Sequence, residues 1–227
     1  MSIHLHMLPP SVNNLSVRVF LRAANLPHEE ENAWGKTRSP EFTAKIPSYL
    51  TPAIEVADHP RGAMWESCAI MMYLANKHKL ESFYPSNPEL RALIDSANFY
   101  MSSTLYPLVA KCTYPRLGFP TYPGETHSDE SATPAQKAAA LKTTDEALAH
   151  PLDVMHKYFV RDGFIGDGKT PSIADIRFAA TLEFIRLAMP LPQWTTDYVK
   201  RVEGALGKAY SEPAADVRGF VDSKKAS

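Results

Sequence analysis

Cysteine is scarce: the 227-residue chain holds two, Cys68 and Cys112. Two thiols build no framework of bridges, so a disulfide-stapled secreted scaffold is excluded and a reducing cytoplasm is the expected compartment. Charge of one sign is lacking too. Lys and Arg number 24 against 25 Asp and Glu, a formal net charge of −1, so nothing draws the whole molecule to nucleic acid or to an anionic membrane. No apolar run approaches the ~18–20 residues of a membrane span. The opening Met1-Ser2-Ile3-His4-Leu5-His6-Met7-Leu8 has no basic start, long apolar centre or small-residue cleavage site, and no secretory leader is expected. Internal repeats and low-complexity tracts are also missing. What remains, 44% hydrophobic and 22% charged residues, is ordinary for a globular chain. Its length suits one large or two small domains with a sizeable core.

Along the chain, residues 3–8 alternate like a strand and stop at Pro9-Pro10. Ser11 to Pro27 offers a cap cluster, an apolar stripe through Leu15, Val19 and Ala23, and an Asn-Leu-Pro stop, the marks of a helix. The polar stretch up to Trp34 can hold a second strand. Ser39-Pro40 reads as a cap with proline at the first helical position. Ala53–Val56 and Ala63–Trp65 are short strands around a turn at residues 58–62, and a helix follows from Ser67 to about His78. After Pro88 the pattern turns helical, over Glu89–Lys111, Pro134–Phe159, Ser172–Ala188 and Thr195–Tyr210. Pro107 and Pro151 should kink the first two. Residues 113–132 form a long loop, and the last residues from Asp222 read as frayed. The expected fold class is α+β: a βαβαββα domain over 1–79, a linker at 80–88, and an all-helical domain over 89–227.

The junction Trp65-Glu66-Ser67 carries chemistry. A helix N-terminus presents unpaired N–H groups and a partial positive charge, which suit a carboxylate. Ser67 reads as the N-cap of its helix, and Glu66 beside it suits an ammonium. A ligand with both charges on one carbon is an α-amino acid. The plainer reading is a cap beside a solvated acid. Thr51-Pro52 lies just upstream, where a cis proline would turn the Thr51 backbone toward an extended peptide.

Pro40-Glu41-Phe42, Thr51-Pro52-Ala53-Ile54-Glu55-Val56, the run Trp65–Leu74 and Ser172-Ile173-Ala174-Asp175-Ile176 together resemble the cytosolic glutathione S-transferases in order and spacing. The Trp65–Leu74 run, with Arg91–Ile94 and Thr104–Tyr106, looks most like the delta and theta classes. The resemblance spans nearly the whole chain. It implies a thioredoxin-like first domain and a helical-bundle second domain. In the latter, Ser172 and Asp175 form a capping box that serves structure rather than catalysis. It also implies glutathione as co-substrate and no metal. Glu66 and Ser67 would hold the γ-glutamyl end, and Thr51, ahead of Pro52, would pair through its backbone with the cysteinyl part, while Leu50 stands where relatives often contact the glycine carboxylate.

Such enzymes stabilise the glutathione thiolate with one donor near the start of the first helix. Ser11 falls where zeta-like classes carry a leading serine. Asn13 would take the role in a nu-like arrangement. Ser11 is the first candidate and Asn13 the second, against a reading in which both only cap the helix. No cysteine stands in 11–16, which disfavours thiol-transfer chemistry. Cys68 and Cys112 read as small buried residues. Ile46 replaces an asparagine frequent in the family, so the glycine carboxylate falls to Lys45 or Lys36, or is held loosely. Tyr106, Tyr114, Phe119 and Tyr122 are the candidates for an apolar acceptor pocket.

The implied activity is a glutathione transferase directing the thiolate at apolar electrophiles in detoxification, as a cytoplasmic homodimer. The alternatives are a glutathione-dependent isomerase, dehalogenase or etherase with one substrate, or a non-catalytic transferase-like assembly module. His4 and His6 alternate on a strand and could pair on a metal. No acidic or histidine partner is spaced along the sequence to complete a site, so a solvated face is expected there.

Overall fold

Ile3, Leu5 and Met7 are buried along the first strand, β1 (Ile3–Met7), which anchors one end of the core. The computed structural model describes residues 3–119, 126–127, 129–161 and 163–225. After β1 come α1 (Val12–Ala23), β2 (His28–Asn32), α2 (Pro40–Lys45), β3 (Ala53–Glu55), β4 (Ala63–Trp65) and α3 (Ser67–Lys77). This is the βαβαββα order of the thioredoxin-like reading. The sheet runs β2-β1-β3-β4, with β1 parallel to β2 and antiparallel to β3, and β3 antiparallel to β4.

α1 carries Leu15, Val17, Val19, Phe20 and Leu21, all fully buried. Such burial on several sides follows from its position, since it packs against α3, α7 (Ile173–Ala188) and α9 (Lys208–Lys225). Asn25 ends its turn in the left-handed region at φ 51°, where asparagine is one of the few side chains accepted readily. Ser39 caps α2 by accepting from the Phe42 N–H, with Pro40 at the first helical position.

The rest of the chain is helical: α4 (Pro88–Tyr100), α5 (Tyr106–Thr113), α6 (Pro134–Val154), α7, α8 (Gln193–Leu206) and α9. The expected kinks at Pro107 and Pro151 take the form of π-helical turns. Met101–Leu105 widens just ahead of Pro107, and Met155–Val160 follows Pro151. At Pro107 the wider turn accommodates a ring that would clash with the carbonyl four residues back and a nitrogen that cannot donate, whereas Pro151 sits inside α6. The frayed tail is a correction: α9 continues through Asp222 to Lys225, its stripe of Tyr210, Ala214, Val217 and Val221 buried. The capping box is present as read, with Ser172 N–H donating to Asp175 Oδ2 at 2.8 Å and Asp175 N–H to Ser172 Oγ at 3.4 Å. No helix among the described residues is long and apolar enough to cross a membrane.

Candidate active site

One cavity of about 380 Å³ collects the ends of several elements. Ser11 and Asn13 come from the start of α1, and Leu50, Thr51 and Pro52 from the segment leading into β3. Glu66 and Ser67 come from the β4–α3 junction, and Tyr106 and Tyr114 from the two ends of α5. Residues spaced over a hundred positions are brought together because the starts of α1, β3 and α3 and both ends of α5 meet at one cavity.

The Thr51–Pro52 peptide is cis. Asn14, fully buried in α1, donates from Nδ2 to Thr51 Oγ1 at 3.2 Å, which ties this segment to the first helix. Ser11 is the N-cap residue of α1, yet its hydroxyl makes no capping bond and stays available to the cavity. Asn13 Oδ1 is buried without a hydrogen-bond partner. Ser16 faces away from this role, with its hydroxyl donating to Asn13 O at 2.7 Å.

At the β4–α3 junction the reading of Ser67 as N-cap is corrected by one residue. Glu66 is the N-cap and Ser67 the first helical residue. Glu66 adopts φ 73° and ψ 110°, a region that L side chains rarely occupy and that concentrates at functional sites. This turn puts the exposed Glu66 and the buried Ser67 side by side on the cavity wall. Cys68, next along, is only half-buried and contacts Asn98 and Ser102, so it departs from the buried residue expected. Cys112 is buried as expected, and burial pushes its thiol up to about 12.

A second pocket of about 490 Å³ adjoins the first and shares Leu8, Ser11, Thr37 and Tyr114 with it. Of the predicted acceptor residues, Tyr114 and Phe119 line this pocket, and Tyr106 is joined to Tyr114 by a 2.9 Å hydroxyl–hydroxyl hydrogen bond. Tyr122 lies outside the described residues. Trp34, Phe184 and Phe220 complete the aromatic lining. Phe119 stacks on Phe220 at 6.5 Å and meets Trp34 at 6.1 Å. The sequence reading missed these three, since no local pattern links residues so far apart.

It also missed Arg177. This α7 side chain is 2% exposed and reaches the first cavity. It donates to Thr181 Oγ1 at 3.0 Å and lies 5.0 Å from the centre of the Tyr106 ring, with Nε unpartnered. No carboxylate among the described residues pairs with it. The apolar residues Ile173, Ile176 and Ala180 around it disguise it in sequence as a solvated charge of an amphipathic helix. Lys36 and Lys45, the candidates for a glycine carboxylate, are engaged elsewhere, on Glu31 at 3.2 Å and Glu55 at 3.0 Å. Neither lines the cavity. Arg38 lies 5.5 Å over the Tyr49 ring and lines the adjoining pocket.

Residues 11–77 match the family model described as glutathione S-transferase, N-terminal domain. Over those residues the chain resembles the N-terminal domain of the glutathione S-transferases. Solved glutathione transferases share the fold of the chain. Human glutathione-S-transferase T1-1 superposes with a TM-score of 0.80 at 23% identity, covering 97% of this chain and 91% of that one. A Bombyx mori glutathione transferase gives 0.71 at 26% identity over 99% and 97%. Human glutathione transferase theta-2, solved in complex with glutathione, gives 0.77 at 19% identity over 99% and 90%. Insect and human transferases of several classes match the fold to similar degrees, so the class stays open.

Proposed function

We propose that the chain is a glutathione transferase. In this reading it binds glutathione in the first cavity and directs the thiolate at apolar electrophiles held in the adjoining aromatic pocket. The observation that carries it is the continuity of the two spaces. Ser11, at the start of α1, lines both, so a sulfur held beside it faces the acceptor pocket directly. Glu66 meets the ammonium and Ser67, with the N–H groups of α3, meets the carboxylate of the γ-glutamyl end. Thr51 pairs through its backbone with the cysteinyl part. Tyr114 and Phe119, joined by Trp34, Phe184 and Phe220, offer ring faces to the acceptor. A free thiol of pKa about 8.5 is only ~3% ionised at pH 7, and a donor worth about 2.7 kcal/mol makes it mostly thiolate.

The donors at the shared wall favour an enzyme over an assembly module. The same reading takes the division into domains 1–79 and 89–227, joined by 80–88. Ile173 N–H donating to Phe83 O at 3.0 Å ties that linker to the helical region. It also takes a homodimer in the cytoplasm, supported by Phe99 standing 67% exposed on α4.

Calorimetric titration with glutathione tests the assignment. Glu66→Ala and Ser67→Ala should each weaken binding about tenfold or more, because truncating a charged hydrogen-bond partner typically loses about 1.5–3 kcal/mol. Unchanged affinity in both folded variants would sink it.

A further inference from the structure

On the sheet face opposite Ile3, Leu5 and Met7, β1 displays His4 and His6. The parallel register sets Glu31 of β2 beside His6 and Glu29 beside His4, while the antiparallel register sets Glu55 of β3 across from His4. Sequence spacing could not show this, since all three acids arrive through long-range strand pairing. His4 Nε2 and His6 Nδ1 converge on one oxygen, Glu31 Oε2, at 3.0 and 3.3 Å. The three ligating atoms all lie within 4.8 Å of one another. Tetrahedral bonds of about 2.0–2.1 Å place ligand atoms about 3.3 Å apart.

His6 is the informative residue. Its ring is buried at 6% exposure against Phe42, and Nε2 meets Glu55 Oε1 at 2.8 Å. With the Nε2 proton donated to Glu55, Nδ1 keeps its lone pair. That atom is buried, makes no hydrogen bond, and faces a carboxylate oxygen. A lone pair and an anion held face to face repel each other unless a cation lies between them. A carboxylate donating order to the far nitrogen of a ligating imidazole is the usual outer-shell support of a metal site. Lys36 and Lys45 occupy Glu31 Oε1 and Glu55 Oε1, leaving Glu31 Oε2 to the histidines.

We propose that His4, His6 and Glu31 form a binding site for a divalent first-row transition metal such as Zn²⁺. The donors, two imidazoles and one carboxylate, suit Zn²⁺, Co²⁺ or Ni²⁺ rather than Mg²⁺ or Ca²⁺. Three protein ligands leave one position to water. The site lies apart from the glutathione cavity, and none of its three ligands lines that space.

Calorimetric titration of the untagged full-length protein with Zn²⁺ is the test. One ion per chain is expected to bind. His4→Gln and Glu31→Gln should weaken that binding by at least about tenfold, and Glu55→Gln, which among the ligands touches only His6, at its far nitrogen, by about ten- to a hundredfold. His4 is part-exposed, so its variant is expected to keep the wild-type circular dichroism, whatever the buried His6 tolerates. Co²⁺ absorption should show nitrogen and oxygen ligation without a thiolate band, which separates this site from Cys68. Absence of stoichiometric Zn²⁺ binding would overturn the proposal and leave a histidine–carboxylate hydrogen-bond network instead. So would binding unchanged by His4→Gln and Glu31→Gln, or a thiolate band with Co²⁺.

Discussion

Three groups at the first cavity compete to face a glutathione sulfur, and their surroundings rank them. Ser11 has a hydroxyl free of any capping bond at the mouth of both pockets. Asn13 also lines the cavity, where its carbonyl oxygen is buried without a partner and only its amide nitrogen can donate to a thiolate. Arg177 brings a buried cation with no carboxylate partner among the described residues, a costly arrangement unless an anion enters beside it. The expectation is that Ser11→Ala and Arg177→Met each raise the pKa of bound glutathione by about 1–2 units, the equivalent of one charge-assisted hydrogen bond. Asn13→Ala should leave it in place. Thiolate absorbance across pH in the saturated complexes reads this directly. A shift in Asn13→Ala alone would invert the ranking and favour the nu-like arrangement.

Helix α7 shows at the scale of an element how much of the fold was legible. Its capping box could be read from Ser172 and Asp175 because the motif is local and fixed in spacing. What the sequence hid is how much else depends on Asp175. The carboxylate also accepts from Ile165 N–H at 2.8 Å and Tyr198 hydroxyl at 2.5 Å, and it is fully buried. Burial pushes its carboxyl up to about 6, against hydrogen bonds from Ser172 and Tyr198 that favour the anion. Asp175→Ala would strand these donors together, so a loss of more than about 3 kcal/mol in urea unfolding is expected, against about 1 kcal/mol for Ser172→Ala. Equal losses would mean that only the cap matters. The same contrast runs through the chain. Strands and caps follow local patterns, and the βαβαββα order was visible from them. α9 escaped because Pro213 interrupts its turns, although Tyr210, Ala214, Val217 and Val221 keep helical spacing. Glu66 as N-cap escaped because a positive φ at glutamate has no sequence signature. Trp34, Phe184, Phe220 and Arg177 meet only through tertiary packing.

Across the whole molecule, one charge cluster joins the sheet to the last helix. Glu30 on β2 accepts from Arg18 Nε at 3.0 Å and Arg22 Nη2 at 3.3 Å, both on α1, and lies 3.5 Å from His28. Arg18, 5% exposed, reaches on to Asp216 of α9 at 2.8 Å, and Arg22 to Glu212 at 3.2 Å. Burial alone would raise the Glu30 carboxyl, but His28 and the two guanidinium groups outweigh it and hold it at about 2, against an ordinary 4.5. A carboxyl depressed on folding contributes stability above its unfolded value, here pH 4.5, and loses it as the pH falls toward about 2. The hydrogen bond with Glu30 also raises His28 above 6.5, outweighing burial, so its contribution is full below 6.5 and fades as the pH rises through the folded value. The cluster therefore stabilises most between about pH 4.5 and 6.5. Integrated over the acid limb, Glu30 accounts for at most about 3 kcal/mol, less whatever solvent screens at its partly exposed edge. Glu30→Gln should be less stable than the parent at pH 6 in urea titrations. The gap should narrow as the pH falls from 4.5 and nearly close at about pH 2, because protonation then removes from the parent what the substitution removed from the variant. Unfolding free energies that run parallel for the two proteins over that range would show that Glu30 is not the group through which acid loosens α1 from α9.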